Sequence, residues 1–396
     1  MNGGTIRGLF ATVIGLALIV SGCTAAQPVN PPPPGAPPPT NQAGPLPADC
    51  ADRITEPKQA NAAVAQVRPG SMVCLGGGGL TDAELEVTTS GTPQQPITIV
   101  ADGATIRSMN VKADYVVIQG LTLRDGDGLT MAGRGLVAHN NVIYNAAENG
   151  LTCFGCVDTI LESNAVQRAD GTGIWFSGER VTVRDNTVSE SVARTQNDAD
   201  GIRFFGAGHR LTGNTIKDIK ASGYPDEGPH TDCFQTYDSA DTPPTYDVVI
   251  ANNVCRNVDV QCLIATIDDP RARRAPAGQT AIVFEGNTCE VKGSQAVLLR
   301  NFPDVVVRGN SFSGPGDRAV QLTGESTDVA VIGNTMTGRM RPFEIDRQSE
   351  PGFQESGNSS RVTEGSPTAP QTDRRYEQGQ RPGRPGDHHG RHEHGG

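Results

Sequence analysis

The chain has 396 residues, room for one large domain or two small ones. Glycine supplies 48 of them, about 12% against a usual share near 7%, which argues against a bulky helical core and for many tight backbone turns. Charged residues make up only 19%, too few for a disordered polyelectrolyte, and a formal net charge of −11 argues against a general nucleic-acid binder.

Residues 1–22 read as an export segment. Arg7 gives it a positive start, and Leu9 to Val20 is a 12-residue apolar run, too short to span a bilayer. The run ends in Val20-Ser21-Gly22-Cys23, which resembles a bacterial lipobox. That resemblance implies acylation of Cys23 and an extracytoplasmic chain anchored to the cell membrane. The competing reading is an ordinary signal peptide cut near Ala26. Residues 23–47 follow as a linker with ten prolines, a composition that favours extended polyproline II. Glu56 to Val67 is a plausible helix of about three turns, placed to cap an open strand edge. The folded domain is expected over 48–357, and residues 358–396, rich in His, Arg and Gly, read as a disordered polar tail.

The middle of the chain is a repeat. A motif V-x-V-x-x-N-x-[apolar] recurs with asparagines at 141, 164, 186, 214, 253, 287, 310 and 334, at intervals of 23, 22, 28, 39, 34, 23 and 24. A second motif of alternating apolar residues runs in step with it, as in Gly173-Ile174-Trp175-Phe176 and Gly201-Ile202-Arg203-Phe204. Short period-two strands joined by Gly/Asn turns and repeating every 22 to 24 residues predict an all-β fold: a single-stranded right-handed parallel β-helix with an N-terminal helical cap. The repeated asparagine is expected to sit in left-handed geometry and to bond its equivalents above and below. A leucine-rich repeat has a similar period but needs a leucine scaffold and helical segments, which the sequence lacks.

The stretches RPGSMVCLGGG, TSGTPQQPITIVADGATIRS and ADYVVIQGLTLRDG, over about residues 55 to 125, resemble the opening of secreted pectate-lyase-like β-helix polysaccharide lyases, notably the chondroitinase-B and alginate-lyase group. The resemblance implies a carbohydrate-active β-helix. That group's catalytic signatures are not found, nor is the Asn-Thr-Asp, Asp-Asp and Gly-His-Gly set of polygalacturonases, so no family residue roles carry over.

Setting Cys23 aside, eight cysteines remain, an even number in an exported chain. Cys233 and Cys262 share one column of the repeat, as do Cys255 and Cys289, and stacked positions about 4.8 Å apart lie within the Cα window for a disulfide. The expected pairs are therefore Cys233–Cys262 and Cys255–Cys289, with Cys50–Cys74 tying the cap and Cys153–Cys156 as a local pair. A redox dithiol or half a zinc site is the alternative for the Cys153–Cys156 motif.

The three long intervals mark insertions near 191–198, 221–230, 239–246 and 268–279, which are expected to wall a groove over adjacent coils. At the same coils the repeat stacks Asp198 on His230, Asp200 on Asp232 and Arg203 on Gln235. Two carboxylates about 5 Å apart cannot both ionise freely, so one pKa rises or a cation such as Ca2+ binds between them. Asp200, Asp232, His230 and Arg203 are thus the expected catalytic group for glycosidic cleavage, by hydrolysis or elimination, with Trp175, Gln235, Tyr237 and Asp198 holding substrate. The expected partner is a polysaccharide or cell-wall glycan and the expected state a monomer. The alternative is a non-catalytic surface protein that binds glycan or serves adhesion.

Overall fold

A computed structural model describes Cys50 and residues 52–196, 198–224 and 228–361. The export segment 1–22, Cys23 with its expected lipidation, the linker 23–47 and the tail beyond Arg361 lie outside the described residues.

Three short strands make each coil from Val137–His139 to Arg341–Ile345, and the coils before and after have two. One coil runs through Thr182–Arg184, Thr187–Ser189 and Ile202–Ala207. Each strand pairs in parallel with its equivalent one coil on: Thr182 faces Arg210, Thr187 faces Thr215 and Ile202 faces Phe234. The first row of strands forms a 12-stranded sheet, so the solenoid has twelve turns, and the other two rows join in a 20-stranded sheet. Period-two alternation sends Ile174 and Phe176 inward, fully buried, and leaves Trp175 outward. Inside, like stacks on like, with the Phe176 and Phe204 rings 6.2 Å apart.

The asparagines form one continuous internal ladder. Asn214 Nδ2 donates to Val183 O at 2.9 Å and to Asn253 Oδ1 at 3.0 Å, and the same oxygen accepts the Asn214 N–H at 2.8 Å. These bonds satisfy backbone groups at a corner with no strand partner, where each buried orphan would cost ~1–3 kcal/mol. The left-handed geometry falls one residue earlier than expected, on Asp185 (φ 55°), Gly213 (67°), Asn252 (56°) and Gly286 (63°). That residue turns the corner, which leaves the ladder asparagine free to point its amide inward. A ninth rung, Asn358, accepts from Asn334, and Ser359–Arg361 pairs with Thr335–Thr337. The coil thus continues past the boundary expected at 357. At the other end the helix is Pro57–Ala65, two turns and a half, whose buried Ala60 and Val64 pack on the first coil.

Cys50–Cys74 and Cys153–Cys156 are bonded, with Cα separations of 5.6 and 5.7 Å. The other two pairings are corrected: Cys233 bonds Cys255 and Cys262 bonds Cys289, at Cα separations of 6.2 and 5.9 Å. The stacking itself is as expected, for Cys255 faces Cys289, and the neighbours Asp232 and Phe234 of Cys233 face Gln261 and Leu263, the neighbours of Cys262. Stacked parallel residues keep their Cβ atoms about 4.8 Å apart with parallel vectors, whereas a disulfide needs roughly 3.8 Å. A cysteine on the third strand of one coil and one on the second strand of the next point toward each other across the bend. Each bond therefore staples two coils diagonally.

His209 is fully buried and edge-on to Phe176. Its Nδ1 accepts the Val181 N–H at 3.2 Å, and Nε2 lies 3.1 Å from Phe205 O, so Nε2 carries the proton. Burial pushes its pKa down to about 4.

Two outcomes follow from these contacts. Trypsin cuts after Lys220, Arg256, Arg271, Arg274 and Lys292, so a non-reducing digest gives peptide 221–256 closed on itself and 257–271 joined to 275–292. One species joining all three peptides would restore the stacked pairing. For His209, the unfolded chain binds a proton below about 6.5 while the folded chain refuses it down to about 4, so stability falls as pH drops through that window. Relative to His209→Gln, the wild type loses up to roughly 3 kcal/mol between pH 7 and pH 4. Denaturation midpoints that track together across that range would show that the folded imidazole takes up its proton as the unfolded one does.

Candidate functional site

The expected residues lie at and before the third-row strands Ile202–Ala207 and Asp232–Tyr237. Asp198 and His230 form a parallel bridge between neighbouring coils, and Arg203 faces Gln235. Asp200 and Asp232 are likewise one coil apart, since the Asp232 N–H donates to Asp200 Oδ1 at 2.9 Å. The next rung repeats the contact, with the Gln261 N–H on Asp232 Oδ1 at 3.0 Å. Arg203 Nη2 donates to Asp198 at 2.7 Å and also to Asp200. Gln235 Nε2 reaches Asp232 Oδ2 at 3.4 Å.

Burial divides this group by role. Asp200 and Asp232 are both 0% exposed, and each has one oxygen committed to the next coil's backbone. Neither carboxyl reaches the surface. Asp198 keeps 27% of its side chain exposed, and His230 and Tyr237 are partly open. Asn149 occupies the same column two coils earlier, where its amide oxygen accepts the Thr172 N–H at 2.8 Å. A neutral amide therefore satisfies this corner. Two aspartates there carry a desolvation cost that the fold does not require.

That cost sets the electrostatics. Burial raises the Asp200 pKa, with Arg203 pulling it back, and raises Asp232 well above the carboxylate range, with the Asp200 charge adding to the effect. Burial works against the Arg203 charge, but the carboxylates of Asp200 and Asp198 prevail and hold it protonated. Burial also lowers the His230 pKa, opposed by Asp198, and raises that of Tyr237. The result is an Asp232 carboxyl biased toward its neutral form, behind an Arg203–carboxylate pair. The guanidinium bridges Asp198 and Asp200, beside the Asp200/Asp232 pair for which a Ca2+ ion was the alternative. Among the described residues, the one group of three close metal-ligating side chains is Cys233, Cys255 and Cys262, all in disulfides.

The structure adds groups that the sequence did not flag. Arg203 Nε, Thr231 Oγ1, Gln235 Oε1 and Gln261 Oε1 are buried and find no hydrogen-bond partner among the described residues. All four belong to three adjacent coils around Asp232. Alongside runs a file of aromatic rings, one per coil, in which Phe154, Trp175 and Tyr237 are open to different degrees and Phe205 is buried at 1% exposure: Phe154 lies 4.6 Å from Trp175, Trp175 5.4 Å from Phe205, and Phe205 4.9 Å from Tyr237. Trp175 and Tyr237 were anticipated; Phe154 and Phe205 were not, because Phe205 sits off the motif column and Phe154 lies on a bulge.

The insertions do not wall one groove. The 221–230 insertion delivers His230, although residues 225–227 lie outside the described residues. The 268–279 insertion instead lies at the far end of the third row, where Asp269 accepts the Ala240 N–H at 3.0 Å and Arg274 reaches Asn301 O at 3.4 Å. It lines a separate cavity of about 530 Å³ with Asp238, Phe302, Asp304 and Glu325. The repeat fixes where a loop leaves the coil but not which way it folds back.

The fold is shared with solved structures at low identity. The chain is similar to a GH136 lacto-N-biosidase from Eubacterium ramulus, with a TM-score of 0.55 and 12% identity over 77% of this chain and 64% of that one. It thus spans less than two thirds of the lacto-N-biosidase's length. Weaker likenesses are an alginate lyase from Paenibacillus sp. str. FPU-7 (TM-score 0.46, 16% identity, 77% of this chain and 98% of that one) and a tailspike protein of E. coli bacteriophage HK620 in complex with a pentasaccharide (0.42, 11%, 77% and 62%). No curated protein matches the chain in sequence. The model of the right-handed β-helix region matches residues 98–216 and 127–336, the span over which coil stacks on coil through the asparagine ladder, and the chain belongs to that family.

Proposed function

We propose that the chain binds a neutral glycan on the outer face of the third row and hydrolyses it beside the Asp198–His230 pair. The observation that carries this reading is the set of partnerless buried polar atoms around the costly Asp200/Asp232 column, next to the file of aromatic rings. Unmet hydrogen-bond capacity beside apolar rings suits a sugar, which offers hydroxyls along its edge and C–H groups on its face. Asp198 and His230 are the acid–base groups that touch the glycan. Asp200 and Asp232 are positioning residues that hold Arg203 and Gln235.

Hydrolysis is favoured over elimination by the state of the cations. Eliminating from a uronate requires positive charge to neutralise its carboxylate. Arg203 is bonded to Asp198 and Asp200, and Arg300 to Asp268 at 2.8 Å. The GH136 lacto-N-biosidase provides a hydrolytic precedent on this scaffold. The full burial of Asp200 and Asp232 favours a second reading, a non-catalytic glycan-binding protein.

The test is reducing-end release from a panel of neutral and uronate polysaccharides, with absorbance of unsaturated products recorded in parallel. Hydrolysis of a neutral polymer is expected, with Asp198→Asn and His230→Asn each slowing it about 100-fold or more. Unsaturated products would replace hydrolysis by elimination, and binding without release would establish the second reading. We also propose that the chain is exported and anchored through acylated Cys23, on the strength of its lipobox-like string. Incorporation of labelled palmitate by the wild type and not by Cys23→Ala is the expected result; equal labelling of both would refute it.

A further inference from the structure

The Cys153-Phe154-Gly155-Cys156 segment carries an exposed aromatic residue on a bonded bulge. In the strand Leu151–Val157, Cys153 faces Phe176 and Cys156 faces Gly178 of the next coil, three residues against two. The preceding coil shows the same surplus, with Phe154 facing Ala132 and Val157 facing Arg134. One extra residue is therefore inserted at Gly155, whose φ of 56° and lack of neighbours suit it to the turn. The Gly155 N–H donates to Ser177 Oγ at 3.0 Å.

Both cysteine side chains are fully buried while Phe154 is 51% exposed, the most open of the large apolar side chains described. A regular strand would alternate and could not send both cysteines inward with two residues between them. The Cys153–Cys156 bond closes the bulge from inside and fixes Phe154 outside, its ring 4.6 Å from Trp175. From there Trp175 and, past the buried Phe205 ring, Tyr237 lead coil by coil to Arg203 and the Asp198–His230 pair. Trp175 shares its column with Thr130, Thr152, Arg203 and Gln235, the last three of them buried.

We infer that Phe154 is the distal glycan-binding platform of this site, and that the Cys153–Cys156 disulfide is the staple that holds it in line with Trp175. The inference rests on the glycan reading above. It gives the site a direction: the polymer lies along the solenoid axis, across the strands, from the acid–base pair toward the N-terminal coils. It also gives the site a length, since Phe154 stands three coil spacings from Tyr237, about 14 Å at 4.8 Å each. An exposed ring so placed contributes to long ligands and not to short ones.

The experiment is calorimetric titration of the purified protein with a length series of oligosaccharides from the polymer that binds best. Phe154→Ala, a surface change, should weaken binding of the long members by about 3- to 10-fold and leave the shortest unchanged. Phe154→Trp should keep wild-type affinity. The double variant Cys153→Ala/Cys156→Ala should show the same length-dependent loss, with binding of the shortest member unchanged. Phe154→Ala binding every length as the wild type does, or losing affinity equally at all lengths, overturns this inference alone. A wild type that binds none of the polymers overturns the glycan reading with it.

Discussion

Coil-to-coil hydrogen bonding at one fixed spacing is the constraint on which this molecule depends. Strands of three to six residues have no stability alone. They persist because each finds its equivalent about 4.8 Å above and below, and because the corner backbone, which no strand can satisfy, is satisfied by asparagine. From Asn141 to Asn358 the internal amide must lie at the same point of each turn, or a buried N–H and a buried carbonyl lose their partners together. Register is therefore fixed twice, by the ladder at the corner and by the inward apolar column along each strand. A one-residue slip would break both.

Once register is fixed, position along the chain loses its importance and column takes over. The site illustrates this. Asp198 and His230 are 32 residues apart yet neighbours, as are Asp200 and Asp232, and Arg203 reaches both carboxylates of its own turn. The corner column tolerates these charges because it is already an acceptor position: an aspartate oxygen accepts the next coil's N–H where Asn149 does the same with an amide. Geometry makes the substitution feasible, and burial makes it costly. That combination of a satisfied shape and an unneeded charge is what separates this stretch from the uniform coils around it.

The disulfides show the limit of column logic. Cysteines that stack are close, but their Cβ vectors run parallel, and a bond needs vectors that converge. Only residues on opposite sides of a bend converge, so Cys233 meets Cys255 and Cys262 meets Cys289. The same principle explains the Cys153–Cys156 pair, which converges because a bulge bends the strand between its members.

The sequence by itself determined the winding: the interval between asparagines, the two-residue alternation and the turn glycines each follow from local geometry, and together they prescribed which residues stack, including the acid, arginine and histidine group. It also prescribed that Trp175 faces outward. Tertiary structure alone decided depth and direction. Burial of Asp200 and Asp232 depends on which side of the corner their carboxyls turn, and the orphaned oxygens of Gln235 and Gln261 depend on distances that no periodicity encodes. The path of the 268–279 insertion, the diagonal of the disulfides and the alignment of Phe154 with Trp175 are likewise set by side-chain vectors after stacking. A repeat specifies which residues become neighbours, and the angles at which they meet come from packing.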